Sequence, residues 1–214
     1  MATEYGFGKT VTNGLVLSLD AADKNSYIGS GTTWRDLSGN NNNGSLANTP
    51  TFSSINGGNI VFNGTNQYVS TTYIMPAQNT TTTFSWNCWV YPVRNTALDI
   101  FMGNRNTTLN FIKLHSNNFE YYPLSFGGAM PLNQWQNICV VKNLTNFSYY
   151  RNGIQTATTS SSAALTANPF FIGGDNTANE YASGSIALAR TYNRVLSATE
   201  ITQNYNAQKS RFGL

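Results

Sequence analysis

Charge is what this 214-residue chain has least of: Asp, Glu, Lys and Arg make up 10% of it, against about 25% in an average soluble domain. The 12 basic and 9 acidic residues leave a formal charge of +3 without a basic run. Arg190 with Arg194 and Lys209 with Arg211 are the nearest approach to a cluster, which excludes a nucleic-acid partner. There is one histidine, His115, and there are two cysteines, Cys88 and Cys139. A metal centre built on cysteine needs more ligands than that, and a nucleophile needs a base beside it. Each cysteine sits inside an apolar run, WNCWV and NICVV, so both are read as reduced thiols packed as small hydrophobes. No stretch approaches the roughly 20 apolar residues that span a bilayer, and MATEYGFGKT lacks the apolar core of a signal peptide. A soluble chain with no membrane partner is the expectation, with Asn-x-Ser/Thr triplets such as Asn43-Gly44-Ser45 unmodified.

Helical periodicity is also missing before residue 197, and strand periodicity fills the gap. GLVLSLDA places Leu15, Leu17 and Leu19 on one face, and FSWNCWVYP places Phe84, Trp86, Cys88 and Val90 on one face with Trp89 opposite. LNFIKLH, QNICVVK and NFSYYRNGI continue the alternation. Asn152-Gly153 reads as a type I′ hairpin turn, and the strands from Gln136 and Asn146 as antiparallel neighbours. Asn40 to Gly44 and the Ser-rich run Thr158 to Ser162 read as loops. Near the C-terminus, GSIALARTYNRVLSATEITQNYNA reads as a strand, an Asn-Arg corner and a short helix. Ser197 and Glu200 form a capping box, and Ile201 and Tyr205 make one apolar edge at i, i+4. The fold class is therefore all-β: a two-sheet antiparallel sandwich with a short C-terminal helix. Residues 1–13 are read as an N-terminal arm and 14–214 as one domain.

Seven blocks in order carry a family resemblance: Trp34 to Asn40 with the Asn/Gly run after it, Ile60 to Val69, Phe84 to Pro92, Gln134 to Lys142, Tyr149 to Ile154, Phe170 to Asp175 and Tyr192 to Ile201. The chain resembles laminin-G-like domains of the concanavalin A-like lectin/glucanase superfamily over about residues 14 to 212. That resemblance implies a jelly roll with one concave sheet. Cys88 and Cys139 fall where that family commonly has Ala, in keeping with a packing role. More narrowly, GLVLSLDAADKNSY, TWRDLSGNNNNG and NYNAQKSRFGL are similar to segments of laminin-G-like domains in tailed-phage virion proteins. This implies a virion location and a structural or capsid-decoration role, in contact with other capsid or fibre subunits as a homo-oligomer or part of a symmetric assembly. The chain ends, with Glu4, Tyr5, Phe7, Arg211 and Phe212, are the expected partner contacts.

The superfamily's glucanases carry Glu-x-Asp-x-x-Glu or Glu-x-Asp-x-Glu on one strand. No two of the nine acids here share an alternate-residue spacing, and His115 has no G-x-S-x-G elbow to serve. A non-enzymatic protein without a required cofactor is expected. Many laminin-G-like domains hold one Ca²⁺ at the sandwich rim, and Asp20, Asp23, Asp36 and Asp175, with Asn40, are the candidate ligands. Ala187 and Leu188 stand where many relatives carry an Asp-Glu pair, and Asp36 to Asn40 also reads as an Asx turn. For a glycan, whose apolar ring face stacks on aromatics, the candidates are Tyr121, Tyr122, Tyr149 and Tyr150. A free-standing lectin-like adhesion module is the alternative to the virion role.

Overall fold

A computed structural model of the chain describes residues 9–96, 99–105, 110–122, 125–175 and 179–214. Among them the strands run, in chain order, β1 (Leu15–Asp20), β2 (Thr33–Trp34), β3 (Gly44–Ala47), β4 (Thr51–Ser53), β5 (Asn59–Asn63), β6 (Tyr68–Met75), β7 (Thr83–Pro92), β8 (Asp99–Asn104), β9 (Asn110–His115), β10 (Asn118–Tyr122), β11 (Ser125–Ala129), β12 (Gln136–Asn143), β13 (Asn146–Arg151), β14 (Ile154–Ser160), β15 (Asn168–Ile172), β16 (Gly174–Asp175), β17 (Glu180–Tyr181) and β18 (Ser183–Tyr192). One helix, α1 (Ala198–Asn206), and a 3₁₀ turn at Lys209–Phe212 follow. All pairings are antiparallel.

The first sheet runs β14-β13-β12-β7-β18-β5-β4, and the second runs β11-β10-β9-β8-β15-β6-β3-β2. Strand β18 lies along β7 on one edge and divides its other edge, Ser183–Ile186 pairing with β5 and Leu188–Tyr192 with β1. The period-two reading of β7 holds. Phe84, Trp86, Cys88 and Val90 enter the core between the sheets, while Trp89 faces outward into a separate cluster. In the core Trp86 stacks on Phe84 at 4.9 Å and meets Phe170 edge-on at 5.1 Å. Each such ring contributes about 1.5–3 kcal/mol by leaving water. Asn152 and Gly153 both have positive φ, 52° and 77°, so the I′ turn between β13 and β14 is as expected.

Two local expectations are corrected. Leu15 leaves the face of Leu17 and Leu19 because β1 is bulged between Leu15 and Leu17, and it packs with the outer cluster instead. The Ser-rich segment is strand as far as Ser160, since β13 supplies a ladder that composition does not reveal: Asn146 pairs with Ser160 and Ser148 with Thr158.

The outer face of the first sheet is covered. Cys139, Val141, Tyr150 and Tyr192 meet Val11, Leu196 and Ile201 in one cluster, and Trp89, Ala187 and Leu188 meet Phe212 in another. The capping box forms: the Ser197 hydroxyl accepts from the Glu200 N–H at 3.2 Å, and a Glu200 carboxylate oxygen accepts from the Ser197 N–H at 2.9 Å. Residues 9 to 13 are tied down too. The Val11 N–H donates to Asn204 Oδ1, and the Val11 carbonyl accepts from the Tyr192 hydroxyl.

Candidate functional site

The second sheet carries different chemistry on its outer face. Strand alternation turns Ile112 and Leu114 of β9, and Phe119 and Tyr121 of β10, into the core. Phe111, Lys113, His115 and Glu120 therefore share the opposite side. Ser116 and Asn117 both adopt positive φ, 50° and 61°, closing a two-residue hairpin that fixes the register and sets Lys113 directly across from Glu120. Lys113 Nζ lies 3.5 Å from Glu120 Oε1, and His115 Nδ1 lies 3.1 Å from Glu120 Oε2.

A second pair stands beside the first. The small β16–β17 ladder places Asp175 opposite Glu180, a like-charge arrangement that is unfavourable by itself. Arg105, just after β8, offsets it: its Nε is 2.8 Å from Glu180 Oε1, and its backbone N–H donates to Asp175 Oδ2 at 2.6 Å. Phe111 joins the two pairs, with the Arg105 guanidinium 5.8 Å and Lys113 Nζ 5.5 Å from its ring centre. Burial pushes the Glu180 carboxyl above the usual carboxylate range. Arg105 and Lys113 oppose that rise while Asp175 and Glu120 add to it, so Glu180 feels all four. Glu180 Oε2 is buried without a hydrogen-bond partner.

Buried charge is costly unless paired, and here the depth is graded. Asp175 is fully buried and Lys113, Glu120 and Glu180 are each 6% exposed, whereas the side chains of Arg105 and His115 are 31% and 38% exposed. The buried carboxylates thus anchor two donors whose tips reach solvent. Next to them, half-buried Tyr68 and Phe171 meet edge to face at 5.9 Å, and Tyr181 lies 6.4 Å from Tyr68 and within electrostatic reach of Asp175. Ring faces beside fixed polar donors can grip a polyhydroxyl ring. Hydrolysis is a poor fit, because a retaining pair faces a scissile bond across an open gap of about 5 Å. Glu120 and Glu180 are instead engaged by cations and nearly sealed from solvent.

The candidates named from sequence are dispersed. Tyr121 and Tyr149 lie between the sheets, 1% and 0% exposed, as part of the main core. Tyr150 is buried on the outer face of the first sheet, where its hydroxyl donates to Gln155 Oε1 at 3.0 Å. The backbone of Tyr122 pairs with Phe111, and its side chain lies outside the described residues. These tyrosines form no common platform, since strand alternation sends Tyr149 and Tyr150 to opposite faces.

The candidate calcium ligands are likewise spent separately. Asp20 Oδ1 is 2.7 Å from Arg211 Nη1. Asp23 accepts from the Asn25 N–H. Asp36 accepts from the N–H groups of Ser18, Ser38 and Asn42 and from the Ser38 hydroxyl. Asn40 Nδ2 donates to the Ser38 hydroxyl and to strand carbonyls. Asp175 belongs to the Arg105 network, and among the described residues no three acids, histidines or cysteines converge as a metal would need.

Two of the expected partner contacts are also consumed within the domain. Phe212 stacks on Trp89 at 4.1 Å and packs on Trp135 at 4.6 Å. Arg211 donates to the Asn56 and Gly58 carbonyls as well as to Asp20. Glu4, Tyr5 and Phe7 lie outside the described residues. What sequence reading missed is the Arg105, Lys113, Glu120 and Glu180 network. The signal for half of it was present, since a two-residue turn at Ser116-Asn117 makes Lys113 and Glu120 cross-strand partners by counting alone.

A family profile described as the concanavalin A-like lectin/glucanases superfamily, laminin G type, matches residues 63–202. No curated protein matches the sequence significantly. Among solved structures, the binding domain of Paraclostridial mosquitocidal protein 1 is similar at 16% identity and TM-score 0.69, covering 92% of this chain and 52% of that one. The botulinum neurotoxin serotype G binding domain is similar at 19% and 0.70, covering 92% and 51%. The chain thus spans about half the length of those two. Domain 4 of AbnA, an extracellular arabinanase from Geobacillus stearothermophilus solved with arabinotriose, is similar at 18% and 0.67, covering 89% of this chain and 98% of that domain.

Proposed function

Because the chain belongs to the laminin-G-type family of the concanavalin A-like lectin/glucanases superfamily, we propose that it is a non-catalytic, glycan-binding module that works through the outer face of its second sheet. The observation that carries this reading is the graded network there: Arg105, partly exposed above the nearly buried Glu180 on the side of the Tyr68–Phe171 ring pair, and His115, partly exposed above Glu120 farther along the same face. Anchored donors lose little freedom on binding, which favours affinity. The exposed tips donate to sugar hydroxyls while the rings take the apolar ring face. The AbnA domain's complex with arabinotriose supplies a first probe, to be followed by an array of neutral and acidic oligosaccharides. Binding that falls about tenfold or more in Arg105→Ala, with an unchanged melting temperature, supports the reading. Absence of binding across the array at millimolar ligand, or turnover of a polysaccharide that Glu180→Gln abolishes, contradicts it.

The finer proposal is that this module is displayed on a tailed-phage virion, as a decoration or fibre-associated component in contact with other capsid or fibre subunits, present as a homo-oligomer or within a symmetric array. Its support is the resemblance of Gly14 to Tyr27, Thr33 to Gly44 and Asn204 to Leu214 to segments of phage virion modules. An antibody against the domain should label purified particles, and subunit contacts there should exceed about 1,000 Å².

A further inference from the structure

At one open end of the sandwich, away from the charged face, the end of β6, the segment 76–82, the start of β7 and the end of β18 enclose a cavity of about 210 Å³. Phe84 and Trp86 supply aromatic wall, Tyr73 supplies a further ring, and Met75 and Ala77 supply aliphatic surface. No Asp, Glu, Lys or Arg lines it. Gln78 does, and its environment is unusual. The residue is 3% exposed, its backbone is fixed by reciprocal hydrogen bonds with Leu165, and its Oε1 accepts from the Tyr121 hydroxyl at 3.1 Å, yet Nε2 has no partner. Turning the amide over only exchanges which terminal atom is left unpaired.

We infer that this end cavity is a second binding site, for a single uncharged pyranose ring, with Gln78 as its polar contact and Trp86 and Phe84 as its apolar wall. Each element of that assignment has its own reason. The volume lies below the roughly 300–1,000 Å³ of pockets that take drug-sized ligands, which limits the occupant to one ring or chain end. The absence of charged lining leaves nothing to compensate the desolvation of an anionic or cationic ligand. A hydrocarbon would fill the space but would leave the Gln78 amide buried and unpaired, a penalty that a hydroxyl or ring oxygen removes. Aromatic wall plus one fixed amide matches the two-sided character of a sugar ring.

The test is an NMR titration of the full chain with the methyl pyranosides of glucose, galactose and mannose, and with cyclohexanol as a ring that carries a single hydroxyl and none of a sugar's remaining polar groups. The readouts are the Gln78 side-chain amide and the Trp86 indole N–H, which report this cavity and not the outer face. At least one glycoside is expected to shift both signals saturably. Gln78→Met should weaken that binding about tenfold or more, and Ala77→Phe, at an exposed position on the cavity wall, should block it without touching the core. The inference is overturned if cyclohexanol shifts the signals and no glycoside does, if nothing shifts them, or if glycoside shifts persist in Ala77→Phe. None of these results depends on Arg105, so a failed outer-face site and a failed end site are separable.

Discussion

The two sheets present opposite outer faces from the same pleat. On the first sheet the outward positions are Trp89, Leu188, Cys139, Val141 and Tyr150, and the chain's own C-terminal segment, with residues 9 to 13, closes over them. On the second, the outward positions Lys113, His115 and Glu120 pair with each other across strands, beside Arg105 and Glu180. An antiparallel sheet can leave one face in water. Here one outer face has become a further packed layer, and the other is left to charge and half-buried rings. The covered side therefore carries stability and the open side is the proposed recognition face, and each substitution below should separate the two.

The largest effect belongs to the cover. Phe212 lies against Trp89 and Trp135, with Tyr205 stacked on the same Trp89 indole at 5.7 Å. Phe212→Ala should cost about 3 kcal/mol, as for other buried aromatic truncations, and leave glycan affinity intact, read by urea unfolding and by titration. An unchanged unfolding midpoint would mean that the C-terminal turn is an ornament on the first sheet. The capping box comes next. Ser197→Ala removes the acceptor for the Glu200 N–H and should cost about 1 kcal/mol. Its partner adds a pH signature. Hydrogen bonding to Arg194 lowers the Glu200 carboxyl to about 2, below its unfolded value. Its stabilising contribution is thus complete above the ordinary carboxylate range and is lost as pH falls toward 2. Acid unfolding of Glu200→Gln should show a shallower fall over that window than the natural chain.

How much of this the sequence disclosed depends on whether the cause was local. The cap at Ser197, the I′ turn at Asn152-Gly153 and the division of Trp86 from Trp89 are set within a few residues, and alternation or turn chemistry reveals each. The fold class followed from them. The open-face network was hidden because its members come from β9, β10, the end of β8 and the β16–β17 ladder, and only the assembled sheet brings them together. Tyr121 and Tyr149 misled for the complementary reason. Tyrosine suits a sugar platform and a core equally well, and which face it takes depends on register, which composition does not carry. The pull of the tail was similarly indirect: Phe212 is apolar enough to dock on a partner, but Trp89 lies within reach in its own domain.

The smallest stability effect is expected at Glu180, and its sign is the informative part. Burial holds the Glu180 carboxyl above its unfolded value despite Arg105 and Lys113, so keeping it ionised costs the folded state free energy at neutral pH. That cost disappears as pH falls through the raised folded value toward the ordinary carboxylate range. Glu180→Gln removes the ionisation while conserving shape, and the Arg105 it releases is 31% exposed and can be solvated. The variant should therefore be as stable as the natural chain or slightly more so at pH 7, with the difference vanishing in acid, as read from paired melting curves across pH. Glycan affinity should fall in the same protein, because Arg105 loses the acceptor that aims it. A site retained against stability is what a recognition surface predicts. A marked loss of stability at neutral pH would instead make the network part of the scaffold and erase the contrast between the two faces.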